Sequence, residues 1–107
     1  MATTVSIMGT VRRTLAVGDP TIVSRVRFQV SGSASLAMDV QGTVGKAGET
    51  PTYVDMAYTN VGTNSAVAAG TDITADGIYE VDASGGMTIA LLPSAGKGQV
   101  TYEVILG

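Results

Sequence analysis

No cysteine, histidine or tryptophan occurs among the 107 residues, and the aromatic complement is four tyrosines and one phenylalanine. Without cysteine, disulfides cannot supplement stability, so the chain suits a reducing cytoplasm and draws any added stability from packing or partner chains. Without histidine, general acid–base work falls to Asp, Glu, Tyr or Lys, and no pair of these stands at a recognised catalytic spacing. Serines are plentiful, yet no G-x-S-x-G elbow appears. Charged residues make up only 14 % of the chain. No apolar run approaches the length needed to cross a bilayer, and the opening MATTVSIMGTVRR has neither a basic start nor the apolar stretch of an export signal. The expectation is a protein that is not an enzyme, uses no cofactor or metal, and engages neither membrane nor nucleic acid.

The formal net charge of −3 is unevenly spread. Arg12, Arg13, Arg25 and Arg27 stand against a single Asp19 in the first 30 residues, so the acidic excess lies beyond them. The acidic balance and scarce aromatics argue against nucleic acid. Arginine is enriched at protein interfaces, which makes Arg12, Arg13, Arg25 and Arg27 the candidate partner contacts; a solvated strand face is the plainer alternative for Arg25 and Arg27.

What the sequence does contain is period-two alternation punctuated by 14 glycines. In Ile22–Val30, Val26, Phe28 and Val30 share one face, with Arg25, Arg27 and Gln29 on the other. In Ser35–Gln41, Leu36, Met38 and Val40 point inward. These two segments read as a hairpin turning through SGSA. A third strand is expected around Tyr53–Asn60, and SAVAAG reads as a loop or short edge strand. Asp76-Gly77 suits a turn with positive φ ahead of a strand at about Gly77–Val81, with Tyr79 and Val81 inward and Ile73 packing just before it. Met87–Leu92 and Gln99–Leu106 complete the series, joined by a hairpin loop at Pro93 and SAGKG, with Val100, Tyr102, Val104 and Leu106 inward. Six or seven short strands with Gly-rich turns describe an all-β fold, a single antiparallel β-sandwich or jelly-roll-like domain. Residues 20–107 form that domain. Residues 1–19 are either an N-terminal arm able to add a strand to a neighbour, or its first strands.

Two further motifs have bland readings. Asp72, Asp76 and Asp82 flank the DITADG turn, but without the D-x-[DN]-x-[DN]-G order of a calcium loop they are better explained by turn chemistry. GTVGKAG, Gly42–Gly48, sets a lysine between glycines without the order or following helix of a phosphate loop, and reads as a flexible hairpin tip.

The stretches SGSASLAMDVQGTVG, ITADGIYEVDASGGMTIALL and GQVTYEVILG, within residues 30–107, together resemble a compact β-sandwich of phage virion proteins, the kind found in capsid decoration or cement proteins, head fibres and tail appendages. The shared features are structural turns. The chain departs from the group at Tyr53, where many relatives carry Trp, and in the neutral MTIALL, where many carry Arg. The resemblance implies a structural virion protein on the capsid surface, made in the host cytoplasm, whose partner is the major capsid protein and which works as a homo-oligomer, with a trimer favoured. The other function it implies is a receptor- or carbohydrate-binding module of a tail or fibre.

Placing Val81 inward makes a direct prediction. Val81→Asp puts a carboxylate in the core and costs several kcal/mol, enough to unfold a marginally stable domain. Thermal melting followed by circular dichroism checks this, and an unchanged melting point would reverse the assigned strand phase.

Overall fold

A strand of 21 residues at about 3.3 Å per residue is roughly 70 Å long when straight. This molecule contains one, Val23–Thr43, yet its longest dimension is 34 Å. The strand must therefore fold back on itself, and that requirement organises the fold. The computed structural model describes residues 3–15, 23–43, 52–83 and 88–106. Among them lie eight strands and no helix: β1 (Thr3–Met8), β2 (Arg13–Thr14), β3 (Val23–Thr43), β4 (Val54–Asp55), β5 (Tyr58–Asn60), β6 (Ser65–Val67), β7 (Gly77–Asp82) and β8 (Thr88–Leu106).

β3 and β8 run antiparallel along nearly their whole length, from Val23 opposite Leu106 to Thr43 opposite Thr88. Each half of this long pair collects its own flanking strands. The half containing Arg25–Val30 carries β7, β5 and β6 on one side and β1 on the other, in the order β1-β8-β3-β7-β5-β6. The half containing Gln41–Thr43 carries β4 beside β3 and β2 beside β8. Folding the pair in the middle lays the two halves against each other as a β-sandwich-like domain, with every strand pairing antiparallel. Ile7, Val26, Phe28, Val30, Tyr79, Val81, Val100 and Tyr102 come from one half, and Leu15, Met38, Val40, Ile89 and Leu91 from the other; all join one hydrophobic cluster. Ile73 ties the layers, exchanging both main-chain hydrogen bonds with Met38 at 2.7 and 3.1 Å.

The inward residues of β3 are the alternating ones that its sequence marks. The expected hairpins are not formed, however. Ile22–Val30 and Ser35–Gln41 fall in one continuous strand, and the Gln99–Leu106 segment continues back through SAGKG and Pro93 to Thr88. The reason lies in the left-handed residues. Gly32 (φ 61°), Ser35 (φ 53°) and Gly96 (φ 74°) sit where the β3–β8 register shifts, and there they make bulges that bend both strands without reversing them. Between Ser31 and Met38 β3 takes seven steps, while β8 takes six between Gln99 and Pro93. One extra residue changes which side chains of β8 face the core. Val100 and Tyr102 are buried on one side of the bend, Ile89 and Leu91 on the other.

Other expectations are refined. The Tyr53–Asn60 strand is two short pieces, β4 and β5. SAVAAG contributes the edge strand β6. Gly77 opens β7 without a positive φ, so the turn before it is made by Ala75 and Asp76. Most of the GTVGKAG motif and Met87, the expected start of the next strand, lie outside the described residues.

The bend yields a paired prediction. A Cβ on Gly96 would overlap the Ser35 carbonyl and the Ala34 oxygen, both backbone and unable to move aside, whereas a Cβ on Gly32 meets nothing within 4 Å. Gly96→Ala should therefore cost several kcal/mol, and Gly32→Ala only the left-handed penalty of about 1–2 kcal/mol. Urea denaturation of both variants checks the ranking, and equal costs would remove Gly96 from the bend.

Candidate functional site

Alternation puts the odd-numbered residues of the first half of β3 outward, and the register fixes what lies beside them. Arg27 stands between Glu80 on β7 and Glu103 on β8; Arg25 between Asp82 and Ile105; Gln29 between Ile78 and Thr101. Glu80 binds both arginines, accepting from Arg25 Nη1 at 2.9 Å and from Arg27 Nη2 at 2.7 Å and Nε at 2.9 Å. The Glu80 carboxyl is held below its ordinary value, first by the Arg27 hydrogen bond, with burial opposing and Arg25 adding to the effect. Beside this rung a shallow depression is lined by Arg27, Phe28, Gln29, Ile78, Thr101 and Glu103. Ile78 is one of the large apolar side chains left exposed. Thr101 continues the row to β1 through a 2.9 Å hydroxyl contact with Thr4.

The four candidate arginines thus divide. Arg25 and Arg27 come together on this face, but Glu80, Asp82 and Glu103 surround them, so the surface is a mixed-charge platform and not a basic patch. Arg12 lies elsewhere. Its Nε donates to Gln41 Oε1 at 3.1 Å and its guanidinium covers the Tyr53 ring at 4.0 Å from the centroid, a cation–π contact that fastens the segment between β1 and β2 to the second half of β3. Arg13, in β2, is exposed. Its partner role has no further support from its surroundings.

The aromatic residues are committed to packing. Phe28 and Tyr79 stack at 5.7 Å, and Tyr58 meets Tyr79 edge-on at 5.8 Å. Tyr58 and Tyr79 donate their hydroxyls to the carbonyls of Thr71 and Ala75 at 2.8 and 2.9 Å. Burial is the main cause raising both phenols above their ordinary value. Tyr102 is also buried, which leaves Tyr53, under Arg12, as the least enclosed of the five.

Asp72, Asp76 and Asp82 do not converge. Asp76 accepts the Ser33 N–H at 2.9 Å, and the Ser33 hydroxyl, then its N–H, hold the Asp76 carboxyl low. This ties the turn before β7 to the bend of β3. Asp82 faces Arg25 across the β3–β7 ladder. Asp72 instead acts on Asp39, as Asp55 does, a grouping the sequence reading missed. Asp39 rises from 3.8 to about 6, chiefly through burial, then through a hydrogen bond shared with Asp55 and the charges of Asp55 and Asp72, opposed by the Val40 backbone. Its Oδ1 is buried without a partner. Among the described residues no group of His, Cys, Asp or Glu is arranged to hold a metal ion.

Comparison with protein-family models, curated proteins and solved structures finds no match for this chain.

The Asp39 environment predicts a pH dependence. Between about 4 and about 6 the folded protein keeps a proton on Asp39 that the unfolded chain has released, so stability falls as pH rises through that window. Asp39→Asn removes the ionisation and should add on the order of 1–2 kcal/mol at pH 7.5, flattening the window. Melting curves from pH 4 to 8 check this; a slope that survives the substitution would assign it to another group.

Proposed function

We propose that this chain is a structural virion protein, a capsid decoration or cement protein that binds the assembled phage head through the major capsid protein and stabilises it. The reading rests first on the resemblance of the segments within residues 30–107 to phage virion sandwiches. The structural observation that carries it is the outer face of β7, β3 and β8, where exposed Ile78 adjoins a rung of Arg25, Arg27 and Glu80 whose side chains are held in place by their own hydrogen bonds. A surface ordered before contact loses less conformational freedom on docking, and arginine with a central apolar residue is typical interface chemistry. Binding the assembled shell and not its free subunits stabilises the shell by mass action. By the resemblance the protein acts as a homo-oligomer, with a trimer favoured, on the virion surface, after synthesis in the host cytoplasm.

The positions of the aromatic side chains favour this reading over a carbohydrate-binding module. Sugar sites present ring faces for stacking, and here Phe28, Tyr58, Tyr79 and Tyr102 are buried while Arg12 lies over Tyr53. A catalytic role has less behind it: Glu80 is taken up by the two arginines and Asp76 by the contact that ties the turn before β7 to β3.

The test is co-sedimentation with undecorated shells of the phage that encodes the chain. Arg25→Glu combined with Arg27→Glu forces like charges against Glu80 and Glu103, and Ile78→Lys separately charges the apolar centre. Each should weaken shell binding by tenfold or more while circular dichroism shows the fold retained. Failure of the wild-type protein to sediment with shells would end the decoration reading, and unchanged binding by both variants would move the interface off this face.

A further inference from the structure

Every open sheet has margins, and here they are unequal. β2 and β4 are two residues long and β6 three, too short to template another strand. β1 is six residues, TTVSIM, and among the described residues no strand pairs with its far side. Natural edges of that length are commonly guarded by Lys, Pro or an inward charge. β1 has none of these. Its residues are Thr, Val, Ser, Ile and Met, and exposed Met8 and Val11 lie at its end.

The main chain fixes which groups point outward. The Gly9 N–H donates to the Gly96 carbonyl at 3.3 Å, one step beyond the Met8–Lys97 pair. In an antiparallel ladder hydrogen-bonded pairs alternate with pairs that are not, so Ile7 and Val5 also bond to β8. Thr4 and Thr101, whose hydroxyls meet at 2.9 Å, form one of the closer pairs between them. The N–H and C=O groups of Thr4, Ser6 and Met8 are therefore the ones turned to the open edge.

We propose that this edge pairs with β1 of a second copy of the chain, antiparallel about a two-fold axis at Ser6. That register sets Ser6 opposite Ser6 and Thr4 opposite Met8, satisfying the three outward residues of each copy with about six main-chain hydrogen bonds. It also sets Val5 opposite Ile7 on the core side. A second copy is favoured by charge: a strand that meets itself at a two-fold axis places any charge near its own twin, and β1 is uncharged from end to end. An edge built for a different protein has no such constraint. The charges flanking β1 on β8, Lys97 opposite Met8 and Glu103 next to Tyr102, lie off the axis. Such a pair is isologous and closes at two chains, in contrast to the trimer implied by the resemblance. It stands independently of any capsid role.

Ser6 is the position to test. Its N–H points to the open edge, so Ser6→Pro removes a bond between copies and none within the sheet, and Ser6→Lys brings two ammonium groups together at the axis. Ser6→Cys supplies the only thiol in the chain, across a pair whose Cα atoms would be about 5.5 Å apart, a spacing a disulfide can bridge. Light scattering of the wild-type protein should give the mass of two chains. Ser6→Lys and Ser6→Pro should give one chain, with unchanged circular dichroism, and mild oxidation of Ser6→Cys should give a covalent pair. If Ser6→Pro loses its fold, the Lys and Cys variants decide. A wild-type protein of one chain or three, a two-chain mass that persists in Ser6→Lys, or an oxidised Ser6→Cys without covalent pairs would each overturn the proposal.

Discussion

The close approach of Gly96 to the backbone at Ser35 is the contact on which the rest of the architecture depends. Two strands of 21 and 19 residues cannot lie straight in a molecule 34 Å across, so they must turn together, and a paired turn works only if both strands bend at the same level. β3 does so with Gly32 and left-handed Ser35, β8 with left-handed Gly96. Because the two backbones touch there, no Cβ fits between them at Gly96. Once the bend is made, both layers of the domain descend from one hairpin-like pair, and the remaining strands need only pair with one half or the other. Asp76 secures the same region from outside by accepting the Ser33 N–H.

Side-chain direction was legible in the sequence; chain direction was not. The alternation of Val26, Phe28, Val30, Leu36, Met38 and Val40 identifies the inner face of β3 on both sides of the bend, and Tyr79, Val81, Val100 and Tyr102 follow the same rule. SGSA and SAGKG carry the glycine and small polar residues used for chain reversal, and those residues equally allow a bulge. Composition cannot distinguish the two. What decides is whether a partner strand of matching length bends at the same place, and that partner is more than 50 residues away in sequence.

The same limit governs the surface. Arg25 and Arg27 stand out as a pair two residues apart, but the carboxylate that joins them, Glu80, arrives from a strand 53 and 55 residues further on. Sequence alone therefore suggests a basic feature where the structure has a mixed-charge rung. Asp39, Asp55 and Asp72 were individually unremarkable. They interact because β4 pairs with the second half of β3 and because Ile73, next to Asp72, bridges to Met38, next to Asp39. Tyr58, Tyr79 and Tyr102 illustrate the opposite case: in a chain so poor in aromatic residues, their burial is nearly required to fill the core.

β8 also sets the order of events in synthesis. It is the last of the eight strands among the described residues and the neighbour of β1, β2 and β3, so those three lack their principal partner until Thr88–Leu106 has been made. Contacts spanning such long sequence separations form slowly, because loop closure precedes the pairing that rewards it. On the ribosome the nascent chain must wait with β3 unsheltered on its β8 side, and folding becomes a nearly single event once Thr88–Leu106 has emerged.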